Sequence, residues 1–191
     1  MHGCHINAVL IGSSLGGVPL LQHIFAALPK TYPIPVLVVQ HVHPEQGESP
    51  AHVINADVAI RVKDAEDKEP IEPGTAYFAP PGYHLLVERD QRIALSVDEK
   101  VNWSRPSVDV LFQSAVYLWA PHLLGIVLSG ANSDGAAGIV TLKQHGCMTL
   151  AQEPSEAKRA EMPASAIATG CVDEVLGIAK IASMMSHLGG K

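Results

Sequence analysis

The chain has 191 residues, of which 47% are apolar and 17% charged, a balance that suits one compact domain with a real core and excludes a disordered segment. A formal net charge of −6 excludes a general nucleic-acid binder, which needs a basic face. Cys4, Cys147 and Cys171 are widely spaced, with no Cys-x-x-Cys pair among them, as expected of buried thiols in a reducing compartment. The opening residues carry neither a basic start nor a long apolar run, and the longest apolar stretch, Leu123 to Leu128, is far too short to span a bilayer. The expectation is a cytoplasmic protein without membrane insertion.

Ala8 to Ile11 reads as a buried strand, and Gly17 to Leu28 as a helix with Leu21, Ile24, Phe25 and Leu28 on one stripe. Pro35 to Val39 is β-branched and has no polar alternation, which marks a strand buried on both faces. Gly47 to Ala56 has helical character and Ala59 to Val62 reads as a short strand. In the middle of the chain, Thr75 to Ala79, His84 to Glu88 and Arg92 to Val97 are short strands parted by Pro80-Pro81-Gly82 and Arg89-Asp90-Gln91. These predict an antiparallel hairpin inserted into the frame. Ser107 precedes a helix from Val108 to Trp119 as its expected cap. Leu123 to Leu128 is a third buried strand, Gly135 to His145 a helix stopped by Gly146, and Cys147 to Ala151 another strand. Pro163 to Thr169 and Ile178 to Leu188 are the last helices. The alternation predicts a single α/β domain: a doubly wound, mostly parallel sheet flanked by helices, with an inserted antiparallel hairpin.

In such a sheet, ligands bind beyond the carboxyl ends of the strands, and three of these ends carry unusual residues. The first is Gly12-Ser13-Ser14-Leu15-Gly16, a G-x-S-x-G pattern. It either projects Ser14 as a nucleophile from a sharp strand-to-helix turn or is simply a tight turn. The G-x-G-x-x-G dinucleotide spacing is not met, and the Gly-Lys-Ser/Thr of a P-loop is missing. The second end presents His41, a base if it faces the site and a structural histidine otherwise. His41-x-His43 lacks a recognisable third metal ligand. The third loop, "LSGANSDGAAG", brings Asp134 to the start of a helix, where it serves as an N-cap or as the carboxylate that orients a histidine. A serine hydroxyl needs a base, and that base needs an orienter. Ser14, His41 and Asp134 supply the three types. Their order differs from the Ser…Asp/Glu…His of α/β-hydrolases. Trp103 and Trp119 read as packing residues, and Ser107 and Asp109 as caps.

Four stretches resemble the catalytic domain of the chemotaxis receptor methylesterases, the CheB family: "IGSSLGG", "VVQHVHP", "RPSVDVLF" and "LSGANSDGAAG". "GTAYFAPPGYHLLV" and "AQEPSEAKRAEMPASAI" extend the likeness over almost the whole chain. The resemblance implies hydrolysis of glutamate γ-methyl esters on cytoplasmic helices of a chemoreceptor-like protein, with glutamine deamidation in some members and no cofactor or metal. It makes Ser14 the nucleophile, His41 the base and Asp134 the orienter, with backbone amides near Leu15 and Ala131 as oxyanion donors. Arg105 either contacts a carboxylate of the partner or ties down its own loop. Leu15 stands where family members usually carry threonine, and Ala164 where they carry arginine. The catalytic fold begins by residue 8, so a stand-alone member without a receiver domain is expected, with a separate response-regulator or signalling partner as a possible source of control. A catalytically idle adaptor of the same fold that binds receptor helices and a small-molecule esterase are the competing readings.

Overall fold

The computed structural model describes residues 5–42 and 49–188. Cys4 and His43, and the first two residues of the expected Gly47 to Ala56 helix, lie outside them. Seven strands form one parallel sheet: β1 (Ala8–Ser13), β2 (Val36–Gln40), β3 (Arg61–Asp64), β4 (Thr75–Phe78), β7 (Leu123–Val127), β8 (Met148–Gln152) and β9 (Glu174–Leu176). Their order across the sheet is β3-β4-β2-β1-β7-β8-β9. β5 (His84–Val87) and β6 (Ile93–Ser96) pair antiparallel as a separate hairpin.

The helices are α1 (Gly17–Ala26), α2 (Pro50–Asn55), α3 (Val108–Trp119), α4 (Ala136–Gln144), α5 (Glu161–Ala168) and α6 (Ile178–Leu188). Side-chain alternation along each central strand sends residues to opposite faces, which divides the core in two. Val9, Ile11, Val36 and Val38 pack under α1, α2 and α6 with Leu21, Phe25 and Ile181. Ala8, Leu10, Leu37 and Val39 pack under α3, α4, α5 and the hairpin with Leu111, Phe112 and Ile139. Both faces are covered, which explains why β1, β2 and β7 are apolar without alternation.

The middle of the chain departs from expectation. Thr75–Phe78 is not part of the hairpin unit. It pairs in parallel with both β2 and β3, and all four of its residues are buried. Its brevity and the Pro-Pro-Gly that follows it made it resemble its antiparallel neighbours. The strand expected at Ala59 to Val62 lies at Arg61–Asp64. β9 carries no apolar run, its three residues being half-buried or exposed at the sheet edge, so its sequence gave no strand signal.

The chain winds outward from β1 in two directions, to β2 on one side and β7 on the other. The β1/β7 boundary is therefore the switch point where a crevice opens at the carboxyl ends of the strands.

Candidate active site

The ends of β1, β2 and β7 are stitched together by main-chain bonds. His41 N–H donates to Ser13 O at 2.9 Å, Leu128 N–H to Gly12 O at 2.9 Å and Ser14 N–H to Ser129 O at 2.9 Å. Ser14, His41 and the 129–135 loop consequently meet at one rim. Gln40, 4% exposed, fastens two of them. Its Nε2 donates to Ser14 O and to His41 O, both at 2.8 Å, while its Oε1 accepts from Ser13 Oγ at 2.8 Å.

Two glycines make this rim possible. Gly16 caps α1 with φ 89°, a conformation glycine adopts freely. Gly130 lies so close to Met162 that a Cβ would collide with its Sδ, and it would stand 2.8 Å from Ser14 Cβ.

His41 and Asp134 are in direct contact, Nε2 to Oδ2 at 2.9 Å, with Asp134 fully buried. An ionised carboxylate only accepts, so Nε2 carries the imidazole proton and Nδ1 holds the lone pair. Nδ1 has the Asn132 side-chain nitrogen at 3.5 Å. Ser14 Oγ makes no hydrogen bond among the described residues, so the serine–histidine link is open in this structure. Such links often tighten only when substrate binds. The backbone N–H groups of Leu15 and Ala131 likewise have no acceptor among the described residues.

Asp134 does not cap the helix that follows it. The N-cap of α4 is Gly135, with φ 98° and no side-chain cap. The carboxylate turns instead to the start of α3. Its Oδ2 accepts from Val108 N–H at 2.7 Å, and its Oδ1 accepts from Asp109 N–H at 3.2 Å, Ser107 Oγ at 2.8 Å and Asn102 Nδ2 at 3.1 Å. Asp109 returns the exchange: its Oδ1 accepts from Gly135 N–H at 3.0 Å and Gly138 N–H at 2.6 Å, at the start of α4. Each carboxylate thus sits on the positive end of the other's helix. Asn102 Nδ2 joins them, lying 2.7 Å from Asp109 Oδ2.

The two carboxyls are shifted in opposite directions from the ordinary aspartate range. Burial alone would raise the Asp134 carboxyl, but the hydrogen bond and charge of His41, with the Val108 N–H and the Ser107 hydroxyl, hold it below the ordinary carboxylate range. Burial raises Asp109, and the nearby Asp134 charge adds to the rise. Asp134 is therefore kept as the anion that an imidazolium would need beside it.

Several expectations change here. Ser107 is the N-cap of α3 by position, yet its side chain bonds Asp134 rather than its own helix. Arg105 Nη1 donates to Val97 O at 2.6 Å and Asp98 O at 2.8 Å, which ties down its own loop, and Arg105 also lines a hollow beside His41. Trp119 is a packing residue at 7% exposure, but Trp103 is 95% exposed and packs in neither core nor hairpin. Gln40, Asn102 and the cross-capping role of Asp109 were not found from sequence. Gln40 stood where a dinucleotide fold would place an acid, and that substitution was the one available signal.

With this geometry in view, comparison with known proteins places the chain. The CheB methylesterase family model matches residues 9–185. The chain belongs to the CheB methylesterase family. A Leptospira interrogans protein assigned by name to the protein-glutamate methylesterases/protein-glutamine glutaminases is 41% identical over 95% of this chain and 94% of its own length. A Symbiobacterium thermophilum protein-glutamate methylesterase/protein-glutamine glutaminase is 38% identical over 96% of the chain, but the match spans only 51% of that relative. The fold matches the crystal structure of the Thermotoga maritima CheB methylesterase catalytic domain with a TM-score of 0.91 and 33% identity, covering 96% of this chain and 98% of that one.

Proposed function

We propose that this chain is a serine hydrolase that removes methyl esters from glutamyl side chains of a receptor or signalling protein, with Ser14, His41 and Asp134 as its catalytic groups. The observation that carries this reading is the 2.9 Å contact between His41 and a buried, ionised Asp134, at the switch-point rim that also holds Ser14, in a chain of this family.

Ser14 Oγ attacks the ester carbonyl carbon as His41 Nδ1 takes its proton. The resulting imidazolium is stabilised at Nε2 by Asp134. The oxyanion is met by the Leu15 and Ala131 N–H groups, which have no other acceptor among the described residues. One such donor is worth about 2.7–4 kcal/mol of barrier. His41 returns the proton to the departing methoxide, methanol leaves, and water activated by the same nitrogen hydrolyses the acyl-enzyme. Glutaminase activity, carried in the names of relatives, follows the same course with ammonia as the leaving group. The substrate is a methylated segment of a chemoreceptor-like protein.

The test is methanol release from methylated receptor cytoplasmic fragments. Wild type releases methanol, while Ser14→Ala folds normally and releases none. Turnover retained in Ser14→Ala overturns the assignment.

A further inference from the structure

Trp103 is 95% exposed, more than any other large apolar side chain among the described residues. It stands at the tip of a two-residue turn. Val101 N–H donates to Ser104 O at 3.2 Å, and Ser104 N–H donates to Val101 O at 2.9 Å. Between them Asn102 has φ 50° and Trp103 φ 62°. Two consecutive positive φ values define the hairpin turn whose second position normally takes glycine. A bulky side chain there is an outlier. Among the described residues the indole gains almost no burial in return, being 95% exposed. The backbone is held by its neighbour: Asn102 Nδ2 is bonded to both Asp109 and Asp134. The turn is thereby anchored to the carboxylate knot of the site, and it presents an indole to solvent.

The place is as telling as the exposure. Trp103 walls a hollow of about 140 Å³ together with His41, Val42, Lys100, Ser104, Arg105 and Pro106. Pockets that enclose small molecules run to about 300–1,000 Å³. This one admits the end of a side chain and leaves the remainder of its ligand on the surface, within reach of the indole. Exposed tryptophans in such positions dominate binding energy when a partner covers them.

We infer that Trp103 is a specificity-determining substrate contact: it packs on the apolar face of the polypeptide segment whose methylated glutamate enters beside His41. This rests on the methylesterase reading and deepens it.

The experiment uses the full chain with a methylated receptor cytoplasmic fragment and, separately, p-nitrophenyl acetate. Trp103→Ala lowers kcat/KM on the methylated polypeptide by about tenfold or more, chiefly through KM. With p-nitrophenyl acetate the fall is less than about twofold, since that ester is too small to need the contact. Binding is read independently. The chain has two tryptophans, and Trp119 is only 7% exposed, so the quenchable, red-shifted emission belongs to Trp103. Adding the methylated polypeptide to Ser14→Ala shifts that emission to the blue and protects it from acrylamide; the shift is gone in Ser14→Ala with Trp103→Phe. Unchanged kcat/KM in Trp103→Ala, or an indole still quenchable at saturating polypeptide, overturns the inference. So does a blue shift produced by raising protein concentration alone, which would make a second copy the occupant. If wild type releases no methanol, the methylesterase reading falls, while the emission of Trp103 still decides whether it contacts the polypeptide.

Discussion

Replacing Asp134 by asparagine preserves shape and removes one acceptor oxygen. The carboxylate accepts five hydrogen bonds: at Oδ1 from Asn102 Nδ2, Ser107 Oγ and Asp109 N–H, and at Oδ2 from His41 Nε2 and Val108 N–H. An asparagine must turn its NH₂ toward one of these sets. Facing the Oδ1 set, it opposes the Asp109 N–H and the Asn102 amide, and only the Ser107 hydroxyl can rotate to accept. Facing the Oδ2 set, it orphans the Val108 N–H alone, because a neutral histidine can accept at Nε2 by moving its proton to Nδ1. The second arrangement is cheaper. A buried N–H without an acceptor costs about 1–3 kcal/mol, and bonds to a charged acceptor weaken when it becomes neutral. Asp134→Asn is therefore expected to lose about 2–4 kcal/mol of stability. The catalytic consequence is larger. With its proton on Nδ1, His41 has no lone pair for Ser14, and there is no anion to hold an imidazolium. The equivalent change of tautomer in a serine protease costs about 10⁴-fold in kcat, and a loss of that order is expected here.

Methanol release measures the rate, urea unfolding the stability, and ¹⁵N chemical shifts of His41 the tautomer. Nε2-protonated in wild type and Nδ1-protonated in Asp134→Asn is the expected pair. A variant within about threefold of wild-type activity, or one with the proton still on Nε2, would refute the reasoning.

Gln40→Ala removes the amide that clamps the Ser14 and His41 carbonyls; kcat should fall well before KM changes, and an equal rise in KM would point to a general loosening of the rim. Gly12→Ala places a Cβ against Val108 Cγ1, pushing back the helix turn that donates to Asp134. About 1–3 kcal/mol of stability should be lost, together with activity, and denaturant unfolding with a parallel rate assay checks both. The depressed Asp134 carboxyl contributes stability that is complete above the ordinary aspartate range and lost as pH falls through its lower folded value; Asp134→Asn should flatten the acid limb of a stability-versus-pH series. Asp109 has the opposite sign, being raised by burial. Its contribution is present at low pH and lost as pH rises through its folded value, so Asp109→Asn should gain on wild type toward neutral pH. A difference between the two proteins that does not vary with pH would refute that.

What sequence showed of this molecule follows from which interactions are local. Strand ends were legible because β1, β2 and β7 are apolar throughout and stop abruptly at glycine, glutamine-histidine and serine-glycine. In a sheet wound outward from β1, ends that stop in this way converge, so Ser14, His41 and the Asp134 loop could be brought to one rim without coordinates. β4 was misplaced because four residues before a Pro-Pro-Gly turn do not reveal whether their partners lie before or after them in the chain. The support of the site was hidden for a stronger reason. Asp109 and Asp134 each read as a cap for the nearest helix, and capping is a rule about neighbours three residues away. Here each caps the helix that the other begins, across 25 or more residues of chain. The two readings predict the same residue types at the same positions, so no pattern separates them. The exchange also gives the site its rigidity. Neither helix start can shift without moving the other's carboxylate, and Asn102 carries that constraint outward to the turn that bears Trp103. A segment that presses on the indole would therefore act on a turn fixed to the same acid that is hydrogen-bonded to His41.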